Sequence, residues 1–106
     1  MSTRATIKIE GVEFAKVYKH WDGYPERTLP FLEKFNKDFA EQRGNDPDYK
    51  FAQLLRATKR LEQEFGLDDS DYTGWGVVSF QSDCGEEFEY TLHSDGTVSV
   101  YAVPFE

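Results

Sequence analysis

The sequence has one cysteine, two histidines and no long apolar run, and each shortage excludes a class of protein. Because Cys84 has no second cysteine to pair with, an internal disulfide and a cysteine-rich zinc site are excluded, and a reducing cytoplasm is the expected compartment. No stretch of about 18 apolar residues occurs, and the first residues lead into an alternating pattern rather than an apolar signal segment. We therefore expect neither membrane insertion nor secretion.

Residue patterns that support catalysis are also scarce. There is no glycine-rich phosphate loop and no serine or cysteine nucleophile next to a base in the sequence. Acidic neighbours of Cys84 disfavour its thiolate, so we expect that thiol to be inert. Residues 69–74 match the first half of a calcium loop, but Phe80 occupies the twelfth position, where a bidentate Glu is needed. We expect no enzyme activity, no cofactor and no metal.

Basic residues are absent from the last 46 positions. All 12 Lys and Arg residues lie at or before Arg60, where 9 acidic residues oppose them, while positions 61–106 carry 11 acidic residues and no basic one. Such an acidic surface repels nucleic acid and attracts basic proteins, including those that bind nucleic acid, although it is also an ordinary solubility device. The candidate contacts are Asp68, Asp69, Asp71, Asp83, Glu86, Glu87 and Glu89, with Tyr101 as an aromatic anchor.

The apolar content is sufficient for one core. The chain has 106 residues, of which 39% are hydrophobic, and nine are Phe. This length supports a single domain over 1–106. Residues 4–10 alternate in polarity and predict a strand, and 13–19 predict the returning strand of a hairpin. The hairpin register is open at this stage, since Ile7 pairs acceptably with either Phe14 or Ala15.

Two amphipathic helices are predicted next. The first spans Pro25 to about Arg43, and because Pro30 disrupts a helix interior, regular helix begins near Thr28 or Pro30 lies in the first turn. The second runs from Pro47 to about 65. Its apolar stripe is Phe51, Leu54, Leu55, Thr58, Leu61 and Phe65, and Lys50, Arg56, Lys59 and Arg60 are expected to form a solvated basic side.

Three strands are predicted after the helices, at 75–81, 86–93 and 97–103. A three-residue loop pairs His93 with Thr97 and Leu92 with Val98, which puts every apolar pair on one face and Glu87, Glu89 and Tyr101 on the other. The predicted fold is α+β, an antiparallel sheet in the order β-β-α-α-β-β-β with two helices on one face. If the last strand lies at the edge of the sheet, a homodimer that pairs two copies through this strand is an alternative.

The stretch from Tyr18 to Pro25 marks the change from strand to helix periodicity. Its aromatic rings beside an Asp-Gly pair are typical of a core corner. The alternative is a small-ligand or nucleotide site. In that site Trp21 or Tyr24 stacks on a ring of the ligand and the basic side chain of Arg4 or Lys19 binds a phosphate, so that Trp21→Ala removes binding. The residues of that alternative site are Arg4, Lys19, His20, Trp21, Asp22 and Tyr24.

Two motifs carry a resemblance to a known group of proteins. The motifs Ser2-Thr3-Arg4-Ala5-Thr6-Ile7 and Tyr18-Lys19-His20-Trp21-Asp22-Gly23-Tyr24-Pro25 resemble a family of short phage and prophage proteins. The family brings no activity or site residue with it. It implies a small phage protein that binds a host component, including an inhibitor of a nucleic-acid-targeting defence system. Together with the charge pattern, this favours a non-enzymatic protein that binds a basic partner and no nucleic acid.

Overall fold

The computed structural model describes residues 3–64 and 74–104, without the side chains of 60–64. Strands β1 (Ala5–Ile9) and β2 (Ala15–Lys19) precede helices α1 (Pro25–Arg43) and α2 (Pro47–Glu64), and strands β3 (Trp75–Ser79), β4 (Phe88–Leu92) and β5 (Val98–Ala102) follow. In space the strands lie in the order β3-β2-β1-β4-β5, which departs from their order along the chain.

The sheet is mixed. β1 and β4 run parallel, whereas the other three neighbouring pairs are antiparallel. The α+β class is therefore confirmed, and the prediction of a purely antiparallel sheet is wrong. Because β2 already pairs with β1 and β3, β4 must pass across the sheet to reach the free side of β1, and it arrives there parallel.

The register of β4 and β5 is the predicted one. Leu92 lies opposite Val98, Tyr90 opposite Val100 and Phe88 opposite Ala102. In the first hairpin, by contrast, Ile7 lies opposite Val17, so both predicted pairings are wrong. The cause is a longer connection in which Val12 turns into the core while Phe14 stays 70% exposed.

The core lies between the helices and one face of the sheet, which we call the helix face. Its buried members are Ala5, Ile7, Ile9, Val12, Ala15, Val17, Leu32, Phe51, Leu54, Tyr90 and Leu92. Alternate residues of each strand point to the opposite face, which we call the open face. Among the described residues, no helix is long and apolar enough to cross a membrane.

Both helices begin at the predicted proline. Pro30 nevertheless lies inside α1, beyond its first turn, so the two predicted placements of Pro30 are wrong. The bond that Pro30 cannot donate would go to the carbonyl of Glu26, an exposed residue of the first turn, where water can replace it. In α2, Lys50 is 1% exposed rather than solvated, because its ammonium lies 5.4 Å from the centroid of the Phe39 ring. The side chains of Arg60, Leu61 and Phe65 lie outside the described residues.

Residues 80–87 connect β3 to β4 by running over the open face, and we call them the crossing segment. At one end of the sheet the Phe80 amide donates to the Phe14 carbonyl, and at the other the Glu87 amide donates to the Arg4 carbonyl. Between these ends the Lys16 ammonium donates to the Ser82 carbonyl at 2.7 Å. Lys16 is consequently only 3% exposed, although its side chain points away from the helices.

Candidate interaction surface

The crossing segment and β4 bring four of the predicted acidic residues to the open face. Asp83 and Glu86 lie on the crossing segment, Glu87 at its end and Glu89 on β4. We call these four the acidic patch. Tyr101 lies directly opposite Glu89 across the β4–β5 pair, and its side chain is 55% exposed. The other predicted acidic contacts, Asp68, Asp69 and Asp71, lie outside the described residues.

The carboxylates of the patch differ in what they contact. The Glu89 carboxylate pairs with the Lys8 ammonium at 3.3 Å, so its charge is largely compensated. Glu87 is exposed. Tyr101 lies on the same face, opposite Glu89, which is two residues after Glu87. Glu87 is therefore better placed than Glu89 to meet a partner's charge, and Glu89 is better described as part of the sheet surface.

Local hydrogen bonds fix the shape of the crossing segment. The Asp83 carboxylate accepts from the Gly85 amide at 3.0 Å, and the Glu86 carboxylate accepts from the Cys84 amide at 3.1 Å. Gly85 has φ 67°, a left-handed conformation that glycine adopts without a steric penalty. Burial raises the pKa of the Cys84 thiol, an effect that nearby Lys16 only partly opposes, so the thiolate is disfavoured mainly by desolvation rather than by acidic neighbours.

The stretch from Tyr18 to Pro25 forms a tightly bonded corner. Asp22 adopts φ 57°, and its carbonyl accepts from the Thr28 hydroxyl of α1 at 2.9 Å. The Gly23 carbonyl accepts from the buried Tyr90 hydroxyl at 2.6 Å. Trp21 packs so closely on Gly74 that an added Cβ there would lie 2.7 Å from the ring. These contacts join β2, α1 and β4, as expected if the motif forms a corner of the core.

The residues of the alternative ligand site lie around this corner and differ in how exposed they are. Lys19 is 1% exposed on the helix face, and its ammonium lies 4.1 Å from the centroid of the Trp75 ring. Arg4 and His20 are exposed, while Trp21, Asp22 and Tyr24 are half-buried. The His20 ring lies in an edge contact with Trp21, at a centroid distance of 5.6 Å. Lys19 is thus much less accessible than the exposed members, and ligand binding stays a prediction.

Sequence reasoning missed a polar cluster at the β4–β5 turn. Nε2 of His93 lies 2.8 Å from the Ser99 hydroxyl, and Nδ1 lies 3.7 Å from the Glu10 carboxylate. Glu10 also accepts from the Ser94 amide at 2.7 Å, and this bond is the main reason that its pKa lies below the usual value. The register of His93 with Thr97 was the available signal, since it brings Ser99 within reach of the imidazole ring.

Buried polar groups of both helices fix the same turn from the helix face. The Asn36 amide donates to the carbonyls of His93 and Thr97 at 2.9 and 2.8 Å. The Lys50 ammonium lies 3.4 Å from the His93 carbonyl, and burial lowers the pKa of this lysine. The turn, and with it the start of β5, is therefore positioned rigidly against α1 and α2.

Comparison with known proteins gives no relative from which a function can be transferred. No family model, curated protein or solved structure matches the chain. Within 3–64 and 74–104, no group of three or more His, Cys, Asp or Glu side chains is placed to bind a metal ion. Most of the partial calcium loop, residues 69–73, lies outside the described part of the chain. Functional inference therefore rests on the surface itself.

Proposed function

We propose that this is a non-enzymatic interaction protein whose open face docks on a basic protein surface and competes there with nucleic acid. The observation that supports it best is that exposed Glu87 and exposed Tyr101 lie on one face of the sheet, the face over which the crossing segment carries Asp83 and Glu86. Aromatic anchors surrounded by charge are common in protein interfaces, and a negative field raises the rate of encounter with a basic partner. The resemblance to phage proteins supports a host partner, such as a component of a nucleic-acid-targeting defence system.

The test is affinity capture from a nuclease-treated bacterial lysate with the wild type and with Glu87→Lys. Glu13→Lys is the matched control, because Glu13 is equally exposed but lies in the β1–β2 connection. We expect the wild type and Glu13→Lys to capture the same basic, nucleic-acid-binding protein, and Glu87→Lys to lose it. Capture should weaken between about 50 and about 300 mM salt, because the screening length becomes shorter over that range.

A second step separates docking from nonspecific charge attraction. Added nucleic acid should displace the captured protein from the wild type, and Tyr101→Ala should weaken capture about tenfold without changing its salt dependence. Retention of the partner by Glu87→Lys, or loss from Glu13→Lys to the same extent, would contradict the proposal. In that case the acidic charge acts as a solubility device.

A further inference from the structure

The outer edge of β5 presents unpaired backbone groups in a regular row. β5 is the last strand of the described sheet, beyond β4. The Thr97 carbonyl accepts from the His93 amide and the Val103 amide donates to the Glu87 carbonyl, so the odd-numbered residues of this strand bond to β4. Antiparallel pairing alternates, and the N–H and C=O groups of Val98, Val100 and Ala102 therefore point away from the sheet.

The side chains along this edge have no charge that would prevent another strand from pairing. Residues 97–103 contain no Lys, Arg, Asp or Glu, in a chain whose net charge is −8. Val100 is 41% exposed on the helix face and Tyr101 is 55% exposed on the open face. Proteins usually protect such an edge with charges, proline or a covering element, and a long uncharged edge pairs readily with another strand.

We propose that a second copy of this chain pairs with β5, giving a two-fold dimer with a continuous ten-stranded sheet. The outward groups belong to even-numbered residues, so the hydrogen-bonded pairs between copies must join even residues. The register that uses all of β5 places Val100 opposite Val100 of the other copy, Val98 opposite its Ala102, and Ser99 opposite its Tyr101. Every apolar pair then lies on the helix face. The edge is thus complementary to itself, as a two-fold interface requires.

An open groove beside the edge supports the same register. It has a volume of about 750 Å³ and lies between the start of β5 and α1, and its lining includes Lys37, Ala40, Gly96 and Val98 together with the acidic residues Glu33, Glu41 and Asp95. In the proposed register the other copy continues from Ala102 to Pro104 along this groove. The side chain of Ala102 is on its helix face, so a small apolar group of the other copy faces Val98 and lies close to Ala40.

The two Glu87 charges do not oppose this arrangement. From strand spacings of about 4.8 Å and a rise of about 3.3 Å per residue, the two Glu87 residues lie roughly 25 Å apart across the dimer. That separation is about three times the screening length of about 8 Å at physiological salt. The Tyr101 rings stay on the open face, so dimerisation is compatible with the proposed docking surface and does not depend on it.

The other edge of the sheet provides a matched control. β3 is also uncharged, and its central Val77 is 52% exposed on the same face as Val100. Gly76 interrupts β3 and weakens its pairing, whereas β5 has no glycine. We therefore expect association through Val100 and not through Val77.

Sedimentation velocity from about 1 μM to about 1 mM tests the dimer in the full chain. We expect a concentration-dependent dimer for the wild type and for Val77→Lys. For Val100→Lys we expect the dissociation constant of the dimer to rise at least about tenfold, because two ammonium groups meet at the two-fold axis. A wild type that stays monomeric throughout, or equal effects of the two substitutions, would overturn the proposal.

Crosslinking tests the register and does not depend on how Val100→Lys folds. In a Cys84→Ser background, Val100→Cys should oxidise to a covalent dimer, because paired Cα atoms about 5.5 Å apart are within disulfide range. Val77→Cys and Ser99→Cys should remain monomeric under the same conditions, the latter because its opposite residue is Tyr101. Covalent dimer from Val77→Cys but not from Val100→Cys would assign the interface to β3 and refute the inference.

Discussion

Tyr90 connects three elements through one buried side chain. It is fully buried at the middle of β4, and its hydroxyl bonds to the Gly23 carbonyl at the corner before α1. Replacing it in Tyr90→Phe keeps the ring and leaves that carbonyl without its donor. We expect the free energy of unfolding in urea to fall by about 1–3 kcal/mol, the cost of a buried unpaired acceptor. A loss below about 0.5 kcal/mol would show that the bond adds little.

The same residue predicts a response to alkaline pH. Burial raises the pKa of the Tyr90 phenol above its usual value of 10.0, although its contact with Thr28 acts in the opposite direction. The folded state therefore favours the neutral phenol. This contribution to stability is complete below about pH 10 and decreases as the pH rises above it, because the unfolded phenol ionises first.

The measurement is urea unfolding at several pH values between about 9 and 11.5. The wild type should lose stability above about pH 10 more steeply than Tyr90→Phe, which has no hydroxyl at this position. Using the difference between the two proteins removes the contribution of the other tyrosines. Parallel pH profiles would contradict the assigned cause.

At the scale of elements, the β4–β5 turn is controlled from α1. Asn36 is fully buried and donates to two carbonyls that flank the turn. Asn36→Ala should lower the free energy of unfolding by about 3 kcal/mol, since two acceptors lose their donor and a small cavity forms. It should also speed amide exchange at 93–97. Lys37→Ala, at the exposed neighbouring position of the same helix, is the control and should change neither quantity appreciably.

The elements that could be predicted from the sequence are those determined by neighbouring residues. The register of β4 and β5 follows from a three-residue turn and a clean alternation, and the helix starts follow from Pro25 and Pro47. The parallel pairing of β1 with β4 could not be predicted in this way. It joins residues about 83 positions apart, and nothing in either strand specifies the partner.

The candidate site was predictable only in part, for a related reason. Glu87, Glu89 and Tyr101 were assigned to one face correctly, because that face depends on hairpin register alone. The compensation of Glu89 by Lys8 depends on the distant β1–β4 pairing and was missed. The burial of Lys19 and Lys50 was missed as well, because a lysine covered by an aromatic ring has the same sequence signature as a solvated one.

For the whole molecule, the sheet order predicts a gradient of local stability. β1 is paired on both sides and packed under the helices, whereas β3 and β5 are edges. In dilute solution, hydrogen exchange should be slowest at Ile7 and its neighbours, and fast at the outward amides of Val98, Val100 and Ala102. If those β5 amides exchanged as slowly as Ile7 in dilute monomer, the proposed edge would be covered. Protection that grows with concentration would agree with pairing between copies.

The position of the first hairpin at the centre of the sheet also has a consequence for biosynthesis. β1 and β2 precede the other described elements in the chain, yet the strands that flank them, β3 and β4, are translated only after both helices. Until β3 has emerged the nascent hairpin has two open edges, and until β4 has emerged the edge of β1 is still open. A stall between residues 64 and 75 would therefore leave both edges of the hairpin unpaired, in a species prone to capture by chaperones.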